Sequence, residues 1–262
     1  MNMMQMVGVA ALIFFVTLTM IVSLRDKINI KLGNAIFTLT NIVIFFLWNY
    51  SAYMRGGLDD GFMTLENISP LIFTVIPLVY FVSDKLKGYA YSAIAFLSFG
   101  MFVAMIFSPS HTYLFSYNLE ADTWFTCETF LHMNCALFGI YLVLTDQVKA
   151  DFEHWIKSIV FMLSIISFGV FLNYTFHKSF FGMDPYGNFS IYMIDIFGSF
   201  EATLAAYYLG IFLVLTLGMQ LNKLMYELAS RKTPRERAKL TKIRPISTYP
   251  SGDEKNEKDA NR

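Results

Sequence analysis

Long apolar runs, separated by short charged or turn-rich segments, make up most of this chain. A helix that crosses a bilayer needs about 20 mostly apolar residues, since each residue adds about 1.5 Å of rise. The pattern predicts seven membrane-spanning helices, at residues 5–24, 35–54, 67–82, 89–107, 124–145, 155–174 and 201–221. The predicted fold class is therefore all-α, a polytopic bundle of seven transmembrane helices.

The connecting segments refine this picture. Residues 83–88, SDKLKG, predict a short turn that makes the third and fourth helices antiparallel neighbours. Pro77 lies in the middle of the third span, where it should kink the helix and leave a main-chain carbonyl that a neighbouring group must satisfy. Residues 175–200 are broken by Gly, Pro and Asp but rich in aromatic residues, which favours a structured or partly re-entrant cap at the membrane interface.

Composition supports a membrane protein. Of the 262 residues 55% are apolar and only 15% are charged, whereas about a quarter of the residues in a soluble domain are charged. Charge concentrates after residue 222, so we divide the chain into a transmembrane domain, 1–222, and a basic, then disordered, cytoplasmic tail, 223–262. We expect a multi-pass protein of the cell membrane whose partners are membrane lipids and not nucleic acid. The basic part of the tail could also hold anionic lipid headgroups, at about 1 kcal/mol per charge.

Lysine and arginine in the loops predict the orientation. With the N-terminus outside, the outer loops hold only Arg55 and Lys178. The basic tail falls on the same side as the inner loops. The inner loops hold six basic residues: Arg25, Lys27, Lys31, Lys85, Lys87 and Lys149. Since cytoplasmic loops carry the excess of positive charge, the count favours an N-terminus outside and a C-terminus inside.

The fifth span, 124–145, carries the candidate chemistry. Glu128, His132, Cys135 and Gly139 are spaced by four, three and four residues, which places them on one stripe of a helix. An ionisable pair inside a membrane is costly unless it faces protein or water, so it is a candidate functional site. Cys127 and Cys135 lie about 12 Å apart along the helix axis, which predicts no disulfide, and no metal-binding spacing occurs.

Other polar residues are expected at the same outer level of the bundle. They come from the ends of four other predicted helices and are candidate substrate-binding residues: Asn49, Asn67, Asn173, Tyr174 and Glu201. Each also has a purely structural interpretation, such as a helix cap for Asn173 or a neutral histidine bonded to a neighbouring group for His132. Together they would need one another or water.

A wet pocket at this level would give the residues catalytic roles. His132 would act as general base, Glu128 would orient it, and Ser69 or Thr74 of the third span would supply the nucleophilic hydroxyl. A histidine that activates a hydroxyl is the usual arrangement for acyl transfer. The sequence shows no G-x-S-x-G elbow, no H-E-x-x-H helix and no phosphate-binding glycine loop, and we expect no metal and no cofactor.

Several short motifs resemble the YwaF-like family of bacterial integral membrane proteins, which is related to a eukaryotic membrane phospholipid acyltransferase. The resemblance covers residues 65–198 and rests on SDKLKG, FSPSH, the histidine helix FLHMNCALFGIYLV and the helix ending LNYTF. It implies seven helices and acyl-group chemistry on lipids, with His132 at the histidine of the family. Acyltransferase members have a cysteine in the third span, where this chain has Ile68 or Ser69.

Two functions therefore stay open. The chain is a lipid acyltransferase or lipid hydrolase acting at the outer leaflet, or it is a non-enzymatic membrane protein of the same fold: a transporter, a receptor or a subunit of a membrane complex. The His132 and Glu128 stripe favours the enzyme. The missing cysteine favours the alternative.

Overall fold

The computed structural model of the chain describes residues 2–56, 68–107, 122–176 and 188–230. Every secondary-structure element in these ranges is helical. The elements are α1 (Met3–Leu24), a short 3-10 turn (Arg25–Lys27), α2 (Ile30–Gly56), α3 (Ile68–Val79), α4 (Asp84–Phe107), α5 (Thr123–Leu144), α6 (Phe152–Phe176), α7 (Asn188–Phe197) and α8 (Phe200–Ser230). The all-α prediction is confirmed.

Six of these helices, α1, α2, α4, α5, α6 and α8, are long and apolar enough to cross a membrane. α3 is also apolar but has only 12 residues. The exposed surfaces of the long helices carry large apolar side chains, for example Leu39 and Phe46 on α2 and Leu213 and Leu217 on α8. Length and composition are those of a multi-pass membrane protein in contact with lipid.

Local capping residues fix where the helices begin and end. The Asn2 side chain accepts a hydrogen bond from the Gln5 main-chain N–H, and the Gln5 side chain accepts one from the Asn2 N–H, which is a capping box at the start of α1. Gly198 has a φ of +84° and ends α7 in the left-handed region that glycine adopts without strain. Ser199 then caps α8 by accepting from the Ala202 N–H.

Several helices extend beyond the predicted spans, among them α4 and α8. α4 begins at Asp84, so most of the turn predicted over 83–88 is helical, and the Lys87 N–H donates to the Ser83 carbonyl. Asp84 in the first turn also complements the positive end of the helix dipole. α8 continues to Ser230, past the predicted end at residue 221. The division into 1–222 and 223–262 stays a prediction, since residues after 230 lie outside the described part.

α5 is the central helix of the bundle. Every one of its residues from Leu131 to Leu144 is buried, because α5 packs against α1, α2, α3 and α4. At Gly139 the helices approach closely: a Cβ there would meet the Ile94 carbonyl oxygen at 2.5 Å and the Ser98 Cβ at 2.7 Å. Close approach at small residues is how membrane helices gain packing energy without a hydrophobic driving force.

α8 is joined to α4 by a second contact of the same kind. A Cβ at Gly218 would overlap the main-chain carbonyl of Phe96. One turn further on, the buried Asn222 amide donates to the Ala95 carbonyl at 2.8 Å and to the Ser98 hydroxyl at 3.2 Å. This polar and close-packed contact fixes the second half of α8 against the core.

Candidate functional site

The candidate site lies in the first half of α5, where the Asp122 side chain caps the helix by accepting from the Phe125 N–H at 2.9 Å. Two turns into the helix, His132 is only 1% exposed. Its Nδ1 lies 2.8 Å from the main-chain carbonyl oxygen of Glu128. A carbonyl can only accept, so Nδ1 carries the proton, and in a neutral imidazole Nε2 is then a hydrogen-bond acceptor.

The imidazole contacts one ring of a larger aromatic cluster. The Phe73 ring of α3 meets the His132 ring edge to face, with centroids 5.0 Å apart. The Trp48 indole of α2 meets Phe73 edge to face at 6.1 Å and stacks on Trp124 at 5.9 Å. We call Trp48, Phe73 and Trp124 the aromatic cluster. Helices α2, α3 and α5 each contribute one ring to this cluster, which contacts His132 through Phe73.

Three buried polar atoms in this region have no hydrogen-bond partner among the described residues: Trp48 Nε1, Glu128 Oε2 and His132 Nε2. The indole N–H is a donor, the imidazole Nε2 is an acceptor, and the Glu128 carboxyl can be either, depending on its protonation. Leaving such a group unpaired in a protein interior costs about 1–3 kcal/mol. Since nearly all buried polar groups in proteins are paired, each of these atoms needs an explanation, and a bound ligand or water is one.

The structure brings Glu128 and His132 together, but through the main chain. The carbonyl of Glu128 accepts from the imidazole, while its carboxyl oxygen Oε2 is buried and makes no hydrogen bond to a described residue. The geometry follows from the spacing, because a side chain four residues later on a helix lies close to the carbonyl of the earlier residue. The predicted role of the Glu128 carboxyl in orienting His132 stays a prediction.

Ser69 and Thr74, the predicted nucleophiles, both lie on α3 and are partly buried. The Thr74 hydroxyl donates to the Pro70 carbonyl of its own helix at 2.9 Å. Neither hydroxyl is hydrogen-bonded to His132, because Nε2 has no partner in the described part of the chain. In this conformation the structure does not pair the imidazole with either hydroxyl.

The predicted substrate-binding residues have different surroundings. Asn49 donates to the Phe45 carbonyl of its own helix at 2.8 Å. Asn173 is buried near the end of α6, whereas Tyr174 is 57% exposed and contacts the Phe200 ring. Glu201 is exposed at the start of α8. Asn67 lies outside the described residues. None of the described members makes a hydrogen bond to His132 Nε2 or Glu128 Oε2.

Two buried residues of α2 contact Phe73 and are absent from the predicted site. Trp48 is buried within the aromatic cluster, and its N–H has no hydrogen-bond partner among the described residues. The Asn41 side-chain amide donates to the Phe73 carbonyl of α3 at 2.6 Å. Asn41 and Trp48 are seven residues apart, a spacing that places both on one face of a helix.

Both cysteines are free and buried. The Cys135 thiol donates a weak hydrogen bond to the Asn41 side-chain oxygen, with a sulfur–oxygen distance of 3.8 Å. No group of three His, Cys, Asp or Glu side chains that could hold a metal ion occurs in the ranges that the structure describes.

An open groove of about 300 Å³ lies elsewhere, between α7 and α8. Its lining is almost entirely apolar and includes Met193, Phe197, Ala206 and Gly210. None of the predicted site residues lines this groove, so it is separate from the His132 site.

No family model matches the chain, and no curated protein and no solved structure matches it either. The function is therefore inferred from the geometry of the chain's own residues and from the resemblance noted in its motifs.

Proposed function

We propose that this protein crosses the cell membrane seven times, with its N-terminus outside and its C-terminus inside. The six long apolar helices and the shorter α3 would supply the seven crossings. The excess of lysine and arginine in the loops that this arrangement places inside supports the orientation. His132 then lies in the outer half of the bundle.

Cysteine labelling tests the orientation. Ser83, before α4, and Thr123, at the start of α5, are both exposed and fall on opposite sides in the proposed arrangement. In a background with Cys127→Ala and Cys135→Ala, an impermeant thiol reagent added to intact cells should label Thr123→Cys and not Ser83→Cys. Labelling of Ser83→Cys alone would reverse the orientation and move the site to the inner half.

For the His132 site, we propose that it binds a polar group of a membrane lipid and acts on a lipid acyl group. One observation carries this proposal: Trp48 Nε1, Glu128 Oε2 and His132 Nε2 are buried without a partner around one aromatic cluster. A hydroxyl of a lipid can donate to Nε2 and can accept from an indole N–H, so it complements these atoms. The medium around the helices supplies lipids.

The chemistry would be general-base catalysis. Nε2 would take the proton of a hydroxyl, the hydroxyl oxygen would attack the acyl carbonyl, and the proton would pass to the leaving oxygen. The hydroxyl would belong to the acceptor lipid or water, or to Ser69 or Thr74 after a rearrangement of α3. The resemblance to the YwaF-like family, with its related phospholipid acyltransferase, supports lipid acyl groups as the substrate class.

A specific observation also favours a non-enzymatic function: transporter, receptor or subunit of a membrane complex. No described hydroxyl is hydrogen-bonded to His132 Nε2, and the third helix begins with Ile68 and Ser69 where acyltransferases of the resembling family have a cysteine. In this alternative the same unpartnered atoms bind a ligand, and the protein releases that ligand without changing it chemically.

A single variant, His132→Leu, separates these functions from a purely structural cluster. Two quantities are measured on one purified sample: the free energy of unfolding, and acyl transfer or release from vesicles of acyl-labelled phospholipid supplemented with lysophospholipid. A ligand site predicts a change in stability below about 1 kcal/mol and, for the enzyme, complete loss of turnover. A dry structural cluster predicts a loss of about 1–3 kcal/mol, because the Glu128 carbonyl loses the hydrogen bond that His132 Nδ1 donates, with no turnover to lose.

Thr129→Val is the matched control. Thr129 lies on the same stretch of α5, is equally buried, and donates to the Phe125 carbonyl of its own helix. It should leave lipid turnover unchanged. Parent protein without turnover but with saturable binding of labelled lysophospholipid, abolished in His132→Leu, would support the non-enzymatic alternative. A His132→Leu protein equal to the parent in stability, turnover and binding would contradict both proposals.

A further inference from the structure

Pro77 creates an unsatisfied main-chain acceptor inside α3. In a helix, the N–H of residue 77 would donate to the carbonyl of residue 73, but proline has no N–H. The Phe73 carbonyl therefore has no donor within its own helix. Because α3 is buried between other helices, water does not replace the missing donor cheaply, and an unpaired acceptor there destabilises the fold.

Asn41 supplies the missing donor from a neighbouring helix. Its side-chain N–H donates to the Phe73 carbonyl at 2.6 Å, and Asn41 itself is fully buried on α2. The other side-chain atom of Asn41, its Oδ1, accepts from the Cys135 thiol of α5 at 3.8 Å. One side chain thus joins α2 to α3 by a strong hydrogen bond and to α5 by a weak one.

The residue whose carbonyl is held is also the residue whose ring contacts the imidazole. The Phe73 ring lies edge to face against His132 at 5.0 Å and is completely buried. The position of the Phe73 main chain determines where this ring lies, and the same ring contacts Trp48 at 6.1 Å. Fixing the Phe73 carbonyl therefore fixes the ring that contacts the His132 imidazole.

We infer that Asn41 is a positioning residue of the His132 site: it takes the carbonyl that Pro77 leaves free and so holds Phe73 against the imidazole. The inference deepens the proposed function, because it names what holds that site in shape. It does not require that a lipid be bound or turned over, so it can fail or succeed independently of the lipid chemistry.

A double-mutant cycle tests the link between Asn41 and Pro77. Asn41→Leu leaves the Phe73 carbonyl without a donor, and we expect the equilibrium constant for unfolding to rise by roughly tenfold or more. Pro77→Ala restores a main-chain N–H to that carbonyl. In the Pro77→Ala background we therefore expect Asn41→Leu to raise the constant by less than about threefold, because interacting sites are not additive.

Asn222→Leu is the matched control for this cycle. Asn222 is also a fully buried asparagine whose amide donates to a main-chain carbonyl of another helix, that of Ala95 on α4. The Ala95 carbonyl does not depend on Pro77. We expect the effect of Asn222→Leu to be the same, within about twofold, with or without Pro77→Ala.

The His132 imidazole reports whether the link positions the site. The His132 and Phe73 rings meet edge to face, so the NMR chemical shifts of the imidazole protons depend on the position of the Phe73 ring. In protein labelled at histidine, with His132 assigned by its loss in His132→Gln, Asn41→Leu should shift or broaden these signals. Asn41→Leu/Pro77→Ala should return them toward the parent position, and Asn222→Leu should leave them in place.

Each outcome decides the inference. If Asn41→Leu fails to fold and the double variant folds, the rescue is complete, and the inference stands. Equal effects of Asn41→Leu in both backgrounds, or failure of both variants to fold, would overturn the link to Pro77. Unchanged His132 signals in a folded Asn41→Leu protein would overturn the positioning role. If rescue and signals behave as expected but His132→Leu changes neither lipid turnover nor lipid binding, the proposed function fails, and Asn41 keeps a structural role alone.

Discussion

The two ends of α5 differ in how their polar groups are paired. At the end near Leu144, the Tyr141 hydroxyl donates to the Ile30 carbonyl, and the Gln147 and Asn34 side-chain amides pair with each other. At the other end, Glu128 Oε2 and His132 Nε2 are buried without a partner among the described residues. One helix thus combines a saturated end and an unsaturated end.

The difference between the two ends indicates where we expect a ligand to bind. Saturated polar groups join helices: Gln147 and Asn34 link the loop after α5 to the beginning of α2, and both are only partly buried. A buried polar group without a hydrogen-bond partner stabilises the folded state no more than a hydrocarbon side chain would. Leaving it unpaired also lowers the free energy of unfolding. Because Glu128 Oε2 and His132 Nε2 both lie in the first half of α5, the proposed ligand would bind in that half.

The largest effect should come from the position between the two ends. Gly139→Ala would place a Cβ 2.5 Å from the Ile94 carbonyl oxygen and 2.7 Å from the Ser98 Cβ. Since main-chain atoms must move to make room, we expect a loss of about 1–3 kcal/mol, typical of an overpacked core, measured by unfolding in detergent. Gly210→Ala, where nothing lies within 4 Å, is the control and should not destabilise. Equal stability of the two variants would mean that α4 and α5 can separate freely.

An intermediate effect should distinguish the ends directly. Tyr141→Phe removes a hydroxyl that is hydrogen-bonded at 3.2 Å while keeping the ring that packs on Phe37 and Phe138. We expect it to cost about 0.5–1.5 kcal/mol. Glu128→Gln keeps the shape and removes no hydrogen bond to a described residue, so its cost should be smaller than that of Tyr141→Phe.

The measurement for this pair is the difference in free energy of unfolding between each variant and the parent, at one pH and in one detergent. A Glu128→Gln protein that loses more stability than Tyr141→Phe would show that the Glu128 carboxyl is paired in solution. The distinction between a saturated and an unsaturated end would then be wrong.

The smallest effect should come from a partly buried pair, Asp151 and His154, that follows the saturated end. Asp151 accepts hydrogen bonds from the main-chain N–H and the ring Nδ1 of His154. Partial burial alone would raise the pKa of the Asp151 carboxyl, but these bonds and the nearby charges of His154 and Lys149 lower the pKa below its ordinary value of 3.8.

A lowered folded-state pKa means that the folded protein binds fewer protons at Asp151 than the unfolded chain does. The stabilisation is therefore complete above about pH 4 and is lost as the pH falls through the folded-state pKa. Because the Asp151 side chain is 44% exposed, water screens the pair, and we expect less than about 1 kcal/mol. Thermal unfolding of parent and Asp151→Asn at pH 7 and below pH 4 measures it; a gap between the two that widens on acidification would contradict the sign.

The apolar pattern predicted the helices well and their ends less well. Each predicted span contains a helix, but α4 begins at Asp84, five residues before the predicted start, and α8 ends at Ser230, nine residues after the predicted end. Hydropathy reports which residues tolerate lipid, whereas a helix ends where its main-chain groups find other partners. Polar residues such as Lys87 and Glu227 therefore continue a helix beyond its apolar part.

The site was harder to predict from the sequence, for a physical reason. Residue spacing indicates the buried face of a helix only when the other faces are exposed. On α5 every residue from Leu131 to Leu144 is buried. The spacing of Glu128 and His132 places them one turn apart on a helix, but it could not tell whether the imidazole bonds to the carbonyl of Glu128, as it does in the structure, or to its carboxyl. Contacts from other helices, such as that of Phe73 with His132, depend on helix rotation, which the sequence does not encode locally.

The burial of α5 also has a consequence for biosynthesis. Its most apolar window has a mean hydropathy of 1.4, the lowest among the six long helices, because it carries groups such as Glu128, His132 and Asn134 that are costly in hydrocarbon. Its main packing partners α1, α2, α3 and α4 all precede it in the chain. The ribosome therefore synthesises α5, the least apolar of the six long helices, after the helices that pack against it. We expect those helices to be available to bury the polar groups of α5 when it enters the membrane.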